Sequence, residues 1–153
     1  MSDNGTLLDQ VSDEDLRQAY RARFRMNVGE VFSGSRQVAD HLMTVLDGRD
    51  RETFVVLFLN GRNALLATET IFEGTLTQAV VFPREIIKYA LLKNAAAIIC
   101  GHNHPSGQVR PSTDDRQITK KIKAGCETVG IQLLDHLIIA AGKYFSFADS
   151  GLL

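Results

Sequence analysis

The sequence predicts an α/β fold, layered α-β-α around a mixed central sheet, and three observations point there. Purely apolar runs at 54–59 and 95–100 have the length and composition of buried strands. Amphipathic stripes with three- and four-residue spacing lie before, between and after them. Composition is that of one ordinary globular domain: 153 residues, 44% hydrophobic, 7% aromatic, with 17 Lys plus Arg against 18 Asp plus Glu. Disorder, coiled coil and collagen are excluded. A chain of this length buries roughly two-thirds of the surface that its unfolded form exposes, so its core needs no disulfide or metal staple. Any metal would therefore be functional.

Residues 1–32 read as an N-terminal helical appendage. Ser12 and Asp15 spell a capping pair, and Leu16, Tyr20 and Phe24 follow at four-residue steps among Arg17, Arg21, Arg23 and Arg25. Left exposed, Tyr20 and Phe24 would favour a homodimer. The body, 33–153, opens with a helix marked by Val38, Leu42, Val45 and Leu46 that stops at Asp47-Gly48. The run at 54–59, the turn signal Asn60-Gly61 and a strand at 64–70 make a hairpin buried on both faces. A short strand at 78–82 comes next. Pro83 then suits a first helical position, ahead of Ile86, Ile87, Ala90 and Leu91 in a helix ending near Asn94. The strand at 95–100 runs into the polar loop from Gly101, and Ser112 precedes a helix with Ile118, Ile122, Cys126 and Val129. A strand at 131–140 and a final hairpin through Gly142 to 144–147 complete the body.

A net charge of −1 gives no electrostatic reason for strong nonspecific nucleic-acid binding, which depends on neutralising phosphates. Two cysteines, Cys100 and Cys126, are too few and too far apart for a thiolate metal site or a secreted disulfide scaffold. No apolar stretch is long enough to span a membrane. These features predict a cytoplasmic protein with reduced thiols and no membrane partner.

The chemistry concentrates in His102-x-His104-Pro105 followed by Ser112-x-x-Asp115. Two imidazoles two positions apart at a strand end project the same way, and a carboxylate opening the next helix can swing toward them. Two nitrogens and one oxygen suit Zn²⁺. Three protein ligands leave a fourth tetrahedral position for water, which describes a catalytic site better than a structural one. Ser112 and Asp115 also spell an S-x-x-D helix cap, and the capping and ligand roles can coexist.

With these residues in view, the sequence resembles the JAB/MPN metalloprotease family with the JAMM motif, in the branch named RadC, long labelled as DNA repair proteins. His102-Asn103-His104-Pro105-Ser106-Gly107 and Pro111-Ser112-Thr113-Asp114-Asp115 are similar to that branch's signature. The similarity extends to Arg51-Glu52-x-Phe54, Pro83-Arg84-Glu85, Asn94-Ala95-Ala96-Ala97 and Leu134-Asp135-His136-Leu137-Ile138. It resembles the short RadC-like proteins, with no room for the helix-hairpin-helix-like region of longer members. The resemblance implies the JAB/MPN (cytidine-deaminase-like) fold and a zinc-dependent hydrolase of a peptide, isopeptide or other amide substrate. It implies one Zn²⁺ per chain on His102, His104 and Asp115, with the Ser112 hydroxyl stabilising the tetrahedral intermediate.

The family also needs a glutamate, because hydrolysis by a metal-activated water requires a base that later returns the proton to the leaving amine. Glu52, Glu69, Glu73 and Glu85 are candidates. The resemblance favours Glu52, since the family's residue stands at the entrance to the strand after the first helix. Its uneventful reading is a surface pair with Arg49 or Arg51. Glu85 comes second, although the first turn of a helix already explains it. Asn103, facing away from its histidine neighbours, shapes the loop. His136 reads as a core or supporting histidine rather than a fourth ligand, and His41 needs no special role.

Two rival enzymes fall away. Three adjacent residues His102-Asn103-His104 cannot converge on one phosphate as the dispersed residues of an HNH nuclease do, and the H-x-E and P-C-x-x-C signature of zinc deaminases is missing. The remaining alternative is a DNA-associated accessory protein with a structural or vestigial metal site. It requires a basic stripe joining Arg17 to Arg25 with Arg49, Arg51 and Arg62, or with Lys120, Lys121 and Lys123, and strongly salt-dependent affinity.

Overall fold

Strand β1 (Glu52–Leu59) is buried at seven of its eight residues, which demands helices over both sheet faces. Val55, Leu57 and Leu59 pack with Val38, Ala39, Leu42 and Leu46 of α2 (Ser35–Leu46). On the other face, Phe54, Val56 and Phe58 pack with Ile86 and Ala90 of α3 (Pro83–Leu92) and with Ile118, Ile122 and Cys126 of α4 (Thr113–Thr128). The result is the expected α-β-α layering, seen in a computed structural model that describes residues 7–46, 48–74 and 81–153.

The sheet is mixed, in the order β2-β1-β3-β4-β5, with β2 (Leu65–Gly74), β3 (Ala97–Asn103), β4 (Gln132–Ala140) and β5 (Lys143–Ser146). Only β3 and β4 are parallel, joined by the crossover helix α4; the other neighbours are antiparallel. The fold is consistent with the JAB/MPN type.

Several local expectations need adjustment. Strand β1 is buried on both faces, but β2 is an edge strand of mostly half-buried residues. The turn between them is a five-residue loop, 60–64. Asn60 Oδ1 accepts from the Arg62 and Ala64 amides, and Asn63, not Gly61, takes the left-handed conformation at φ 60°. Strand β3 continues through His102 and Asn103, so its end carries the polar chemistry. Most of the strand expected at 78–82 lies outside the described residues; Phe82 is the N-cap of α3, and Pro83 opens that helix as anticipated. Asp47 also lies outside them, while Gly48 has the expected left-handed backbone, φ 71°.

Helix α1 (Asp13–Phe24) starts where Ser12 Oγ accepts from the Asp15 amide at 3.1 Å. Tyr20 and Phe24 are half-buried rather than exposed, and the Tyr20 hydroxyl reaches Met43 Sδ on α2 at 3.6 Å. Arg25 donates to the Thr44 hydroxyl and carbonyl. His41 has a structural role that its helix-face position does not announce. Its Nδ1 accepts from the Met26 amide at 2.8 Å, and its Nε2 lies 3.1 Å from Thr68 Oγ1, tying the N-terminal segment and β2 to α2.

Two backbone features aim the site. A Cβ on Gly101 would lie 2.6 Å from Leu42 Cδ1, so glycine lets α2 approach β3 beside His102. In β4, Ile98 pairs with Leu133 but Ile99 with Asp135, leaving Leu134 as a bulge residue. Ile131 and Leu133 face α3 and α4. Strict alternation would put Asp135 next on that face; the bulge puts His136 there instead.

Burial foremost, then Arg25, lowers the His41 pKa from 6.5 to about 4. Since the unfolded chain takes up this proton near pH 6.5 and the folded one only near pH 4, stability present above 6.5 is lost as pH falls. This contributes a loss of about 3 kcal/mol at most. Urea unfolding at pH 7 and pH 4.5 should show a smaller acid loss for His41→Gln than for the parent; equal losses would contradict the assignment.

Candidate metal centre

The site forms where β3 ends above the first turn of α4. His102, wholly buried, and His104, with a side chain 12% exposed, extend from alternate positions of β3 and its continuation. Asp115 comes from α4, buried to 2% exposure. His102 Nε2 and His104 Nε2 are 3.0 Å apart; His102 Nε2 is 3.2 Å from Asp115 Oδ1, and His104 Nε2 3.2 Å from Asp115 Oδ2. One donor atom from each residue falls within a common 4.8 Å group. Ligands about 2.0 Å from a tetrahedral zinc ion are themselves about 3.3 Å apart, so these separations match the edges of such a shell.

The helix cap at Asp115 leaves its carboxylate in contact with both imidazoles. The Ser112 hydroxyl accepts from the Asp115 amide at 3.0 Å, while Asp115 Oδ2 accepts from the Ser112 amide at 2.8 Å. This capping box fixes the carboxylate that meets the imidazoles, and the helix N-terminus favours its charge.

Electrostatics agree with a cation-seeking cluster. Burial alone would raise the Asp115 pKa, but the His102 and His104 rings beside it, together with the Ser112 amide, hold it well below the carboxylate range. The His104 pKa is raised, chiefly by the hydrogen bond with Asp115, against the effect of burial and with help from the Gln108 carbonyl and the Glu52 charge. His104 Nδ1 lies 2.7 Å from the Gln108 carbonyl oxygen. A carbonyl only accepts, so Nδ1 carries the proton and the neutral ring turns the Nε2 lone pair toward the cluster. The donor set therefore fits a divalent ion of borderline softness.

Among the glutamates, the structure brings Glu52 to this group. Antiparallel pairing sets Phe54 opposite His102, so Glu52, two residues earlier on the same face, approaches His104. Glu52 also lines a recess with Pro105 and Ser106. Arg49 pairs with Glu73 at 3.0 Å. Glu69 pairs with Lys93. Glu85 lies in the first turn of α3, and that end of α3 packs on Gly125 through Pro83 and Ile87. Ten residues of helix, about 15 Å, separate Gly125 from Asp115.

Asn103 does more than shape a loop. Its Oδ1 accepts from the Thr53 amide at 2.7 Å and its Nδ2 donates to the Arg51 carbonyl at 3.0 Å, holding the backbone on both sides of Glu52. His136 stands behind His102, Nε2 to Nδ1 at 2.8 Å, on the side away from the other donors. Burial, then the neighbouring His102, lowers its pKa far below the ordinary value. Thr119, which sequence reasoning missed, meets His136 Nδ1 at 2.6 Å. The available signal was its four-residue spacing from Asp115, one helical turn on the same face. A cavity of about 800 Å³ opens beside His104, with Tyr20, Met43, Leu46 and Ile139 among its apolar walls.

A family model for the RadC-like JAB domain matches residues 32–152. The chain belongs to the RadC-like JAB family. It is 46% identical over 129 residues to a UPF0758 protein of Chromobacterium violaceum, covering 84% of this chain and 58% of that relative. A UPF0758 protein of Actinobacillus pleuropneumoniae serotype 5b is 52% identical over 104 residues, covering 68% and 47%. The UPF0758 protein YeeS of Escherichia coli K12 is 46% identical over 125 residues, covering 82% and 84%. This RadC-like chain thus spans about half the length of the first two relatives and most of the third.

A proton on His104 competes with a metal for Nε2. Because its pKa is raised, zinc affinity should fall as pH drops through that value and level off above it, with proton release on binding. Calorimetry near neutral pH in buffers of different ionisation enthalpy should show this release; buffer-independent heats would contradict it.

Proposed function

We propose that the protein is a metal-dependent hydrolase of the JAMM type, using Zn²⁺ to cleave a peptide, isopeptide or other amide bond. The observation that carries this reading is the meeting of His102, His104 and Asp115 at ligand spacing, with the Glu52 charge acting on His104. These three side chains would hold the ion. Bound there, it supplies Lewis acidity toward a carbonyl oxygen and lowers the pKa of water at an open position.

The chain's own groups supply the rest. The Glu52 carboxylate removes a proton from the attacking water and returns it to the leaving amine, so that one group serves as base and then acid. The Ser112 hydroxyl, with a lone pair engaged by the Asp115 amide, keeps its hydrogen for donation to the developing oxyanion. Asn103 fixes the height and angle of Glu52 through the flanking peptide groups. Room for a substrate side chain exists in the apolar cavity at the edge of His104.

The accessory DNA-binding reading has less support. Two of the arginines it calls on, Arg25 and Arg49, are engaged by Thr44 and Glu73. No helix among the described residues is long and apolar enough to cross a membrane. Cys100 and Cys126 are free and buried, and burial raises both thiol pKa values, as suits a protein of a reducing cytoplasm.

Zinc-loaded protein incubated with quenched peptide and isopeptide substrates should lose at least about 100-fold in turnover on Glu52→Gln, with zinc content unchanged. Glu85→Gln should remain near the parent rate. Full activity of Glu52→Gln would remove Glu52 from the mechanism. Asn103→Ala should lower turnover by about tenfold while leaving zinc affinity within about threefold, because it frees the Glu52 backbone without touching a ligand. A large loss of zinc instead would show that Asn103 supports the metal cluster.

A further inference from the structure

We propose that Thr119 and His136 are positioning residues that fix the tautomer of His102, keeping its proton on Nδ1 and its Nε2 lone pair toward the metal. The inference rests on the metal-centre reading above and deepens it. His104 has its tautomer set by one backbone carbonyl, whereas among the described residues His102 Nδ1 meets another imidazole. An imidazole can donate or accept, so this contact by itself does not choose a direction.

The direction is chosen one step further back. Thr119 Oγ1 donates its single hydrogen to the Asp115 carbonyl at 2.6 Å, a group that can only accept. With that hydrogen spent, Thr119 Oγ1 must accept at its 2.6 Å contact with His136 Nδ1, which therefore carries a proton. His136 is wholly buried, and among the described residues its ring nitrogens face Thr119 and His102; a buried imidazole with such neutral partners stays neutral, with one proton. Its Nε2 then accepts, and His102 Nδ1–H donates at 2.8 Å. The remaining His102 nitrogen, Nε2, holds the lone pair that faces His104 and Asp115.

The surroundings hold the rings in line. Phe147 stacks on His136 at 5.0 Å between centroids and 11° between planes, and Phe54 stacks on His102 at 5.9 Å and 13°. Both ends of the relay belong to Asp115, whose carboxylate joins the metal cluster and whose carbonyl sets the proton direction. Helix α4 thus supplies a ligand and, one turn later, the hydroxyl that orients another ligand.

Removing the Thr119 hydroxyl breaks the rule. In Thr119→Val, His136 gains more by placing its proton on Nε2 toward His102 than by leaving a buried N–H unpaired. His102 Nδ1 would then accept, its proton would move to Nε2, and the nitrogen facing the cluster could no longer ligate.

Long-range ¹H–¹⁵N correlation spectra of the metal-free protein at about pH 8, above the ordinary histidine range, read these tautomers directly. The parent should show Nδ1-protonated His102 and His136, and Thr119→Val the reverse. In chelator competition, zinc affinity should drop about 10- to 100-fold in Thr119→Val and stay within about threefold of the parent in Thr119→Ser, which keeps the hydroxyl. Nε2-protonated His102 in the metal-free parent, or parental zinc affinity in Thr119→Val, would overturn the relay. If the parent shows the stated tautomers yet binds no zinc, the metal-centre reading fails while the relay stands.

Discussion

Two imidazole lone pairs and a carboxylate brought within about 3 Å of one another repel unless positive charge lies between them, and the local architecture follows from this constraint. Here they are held together by independent devices. The capping box fixes the acid, the Gln108 carbonyl fixes His104, and packing between Phe54 and α4 encloses His102. Each device stiffens a donor in advance, so an ion held there would meet little ordering cost.

The same constraint gives meaning to the order of residues in β3. Strand alternation sends consecutive side chains to opposite layers, which allows neighbours in sequence to serve unrelated tasks. Gly101 yields space to Leu42 on the α2 side, His102 faces α4 and the cluster, and Asn103 turns back toward β1. The spelling His102-Asn103-His104 therefore describes two members of the candidate metal cluster and one backbone clamp. It gives a physical reason, beyond spacing, why three adjacent letters do not form a nuclease site.

Legibility in the sequence followed the range of the interactions. Helical stripes and the apolar runs are local signals, and α2, α3, α4, β1 and β3 lie close to where periodicity places them. The meeting of His102, His104 and Asp115 was also legible, because the strand end, a short loop and a helix cap leave few ways to separate them. The loop at 60–64 was not, since an Asn-Gly pair signals a turn without saying which residue takes the positive φ. Nor was the role of Asn103, whose partners Arg51 and Thr53 are about fifty positions away and become visible only through the β1–β3 register.

The bulge at Leu134 is the clearest example of information that alternation alone cannot supply. One extra residue exchanges the faces of everything after it, so counting from Ile131 and Leu133 would send His136 to the α2 side. The bulge instead turns it beneath His102. Asp135 stabilises this break in the ladder: its carboxylate accepts from the His136 and Ala148 amides and the Ser146 hydroxyl. Aspartate before histidine on β4 thus acts as a unit, the first residue holding the irregular backbone and the second using the direction it creates. Since an unpaired polar bulge inside a sheet is costly, a buried aspartate with three hydrogen bonds and a histidine pointed at His102 are best understood as one construction.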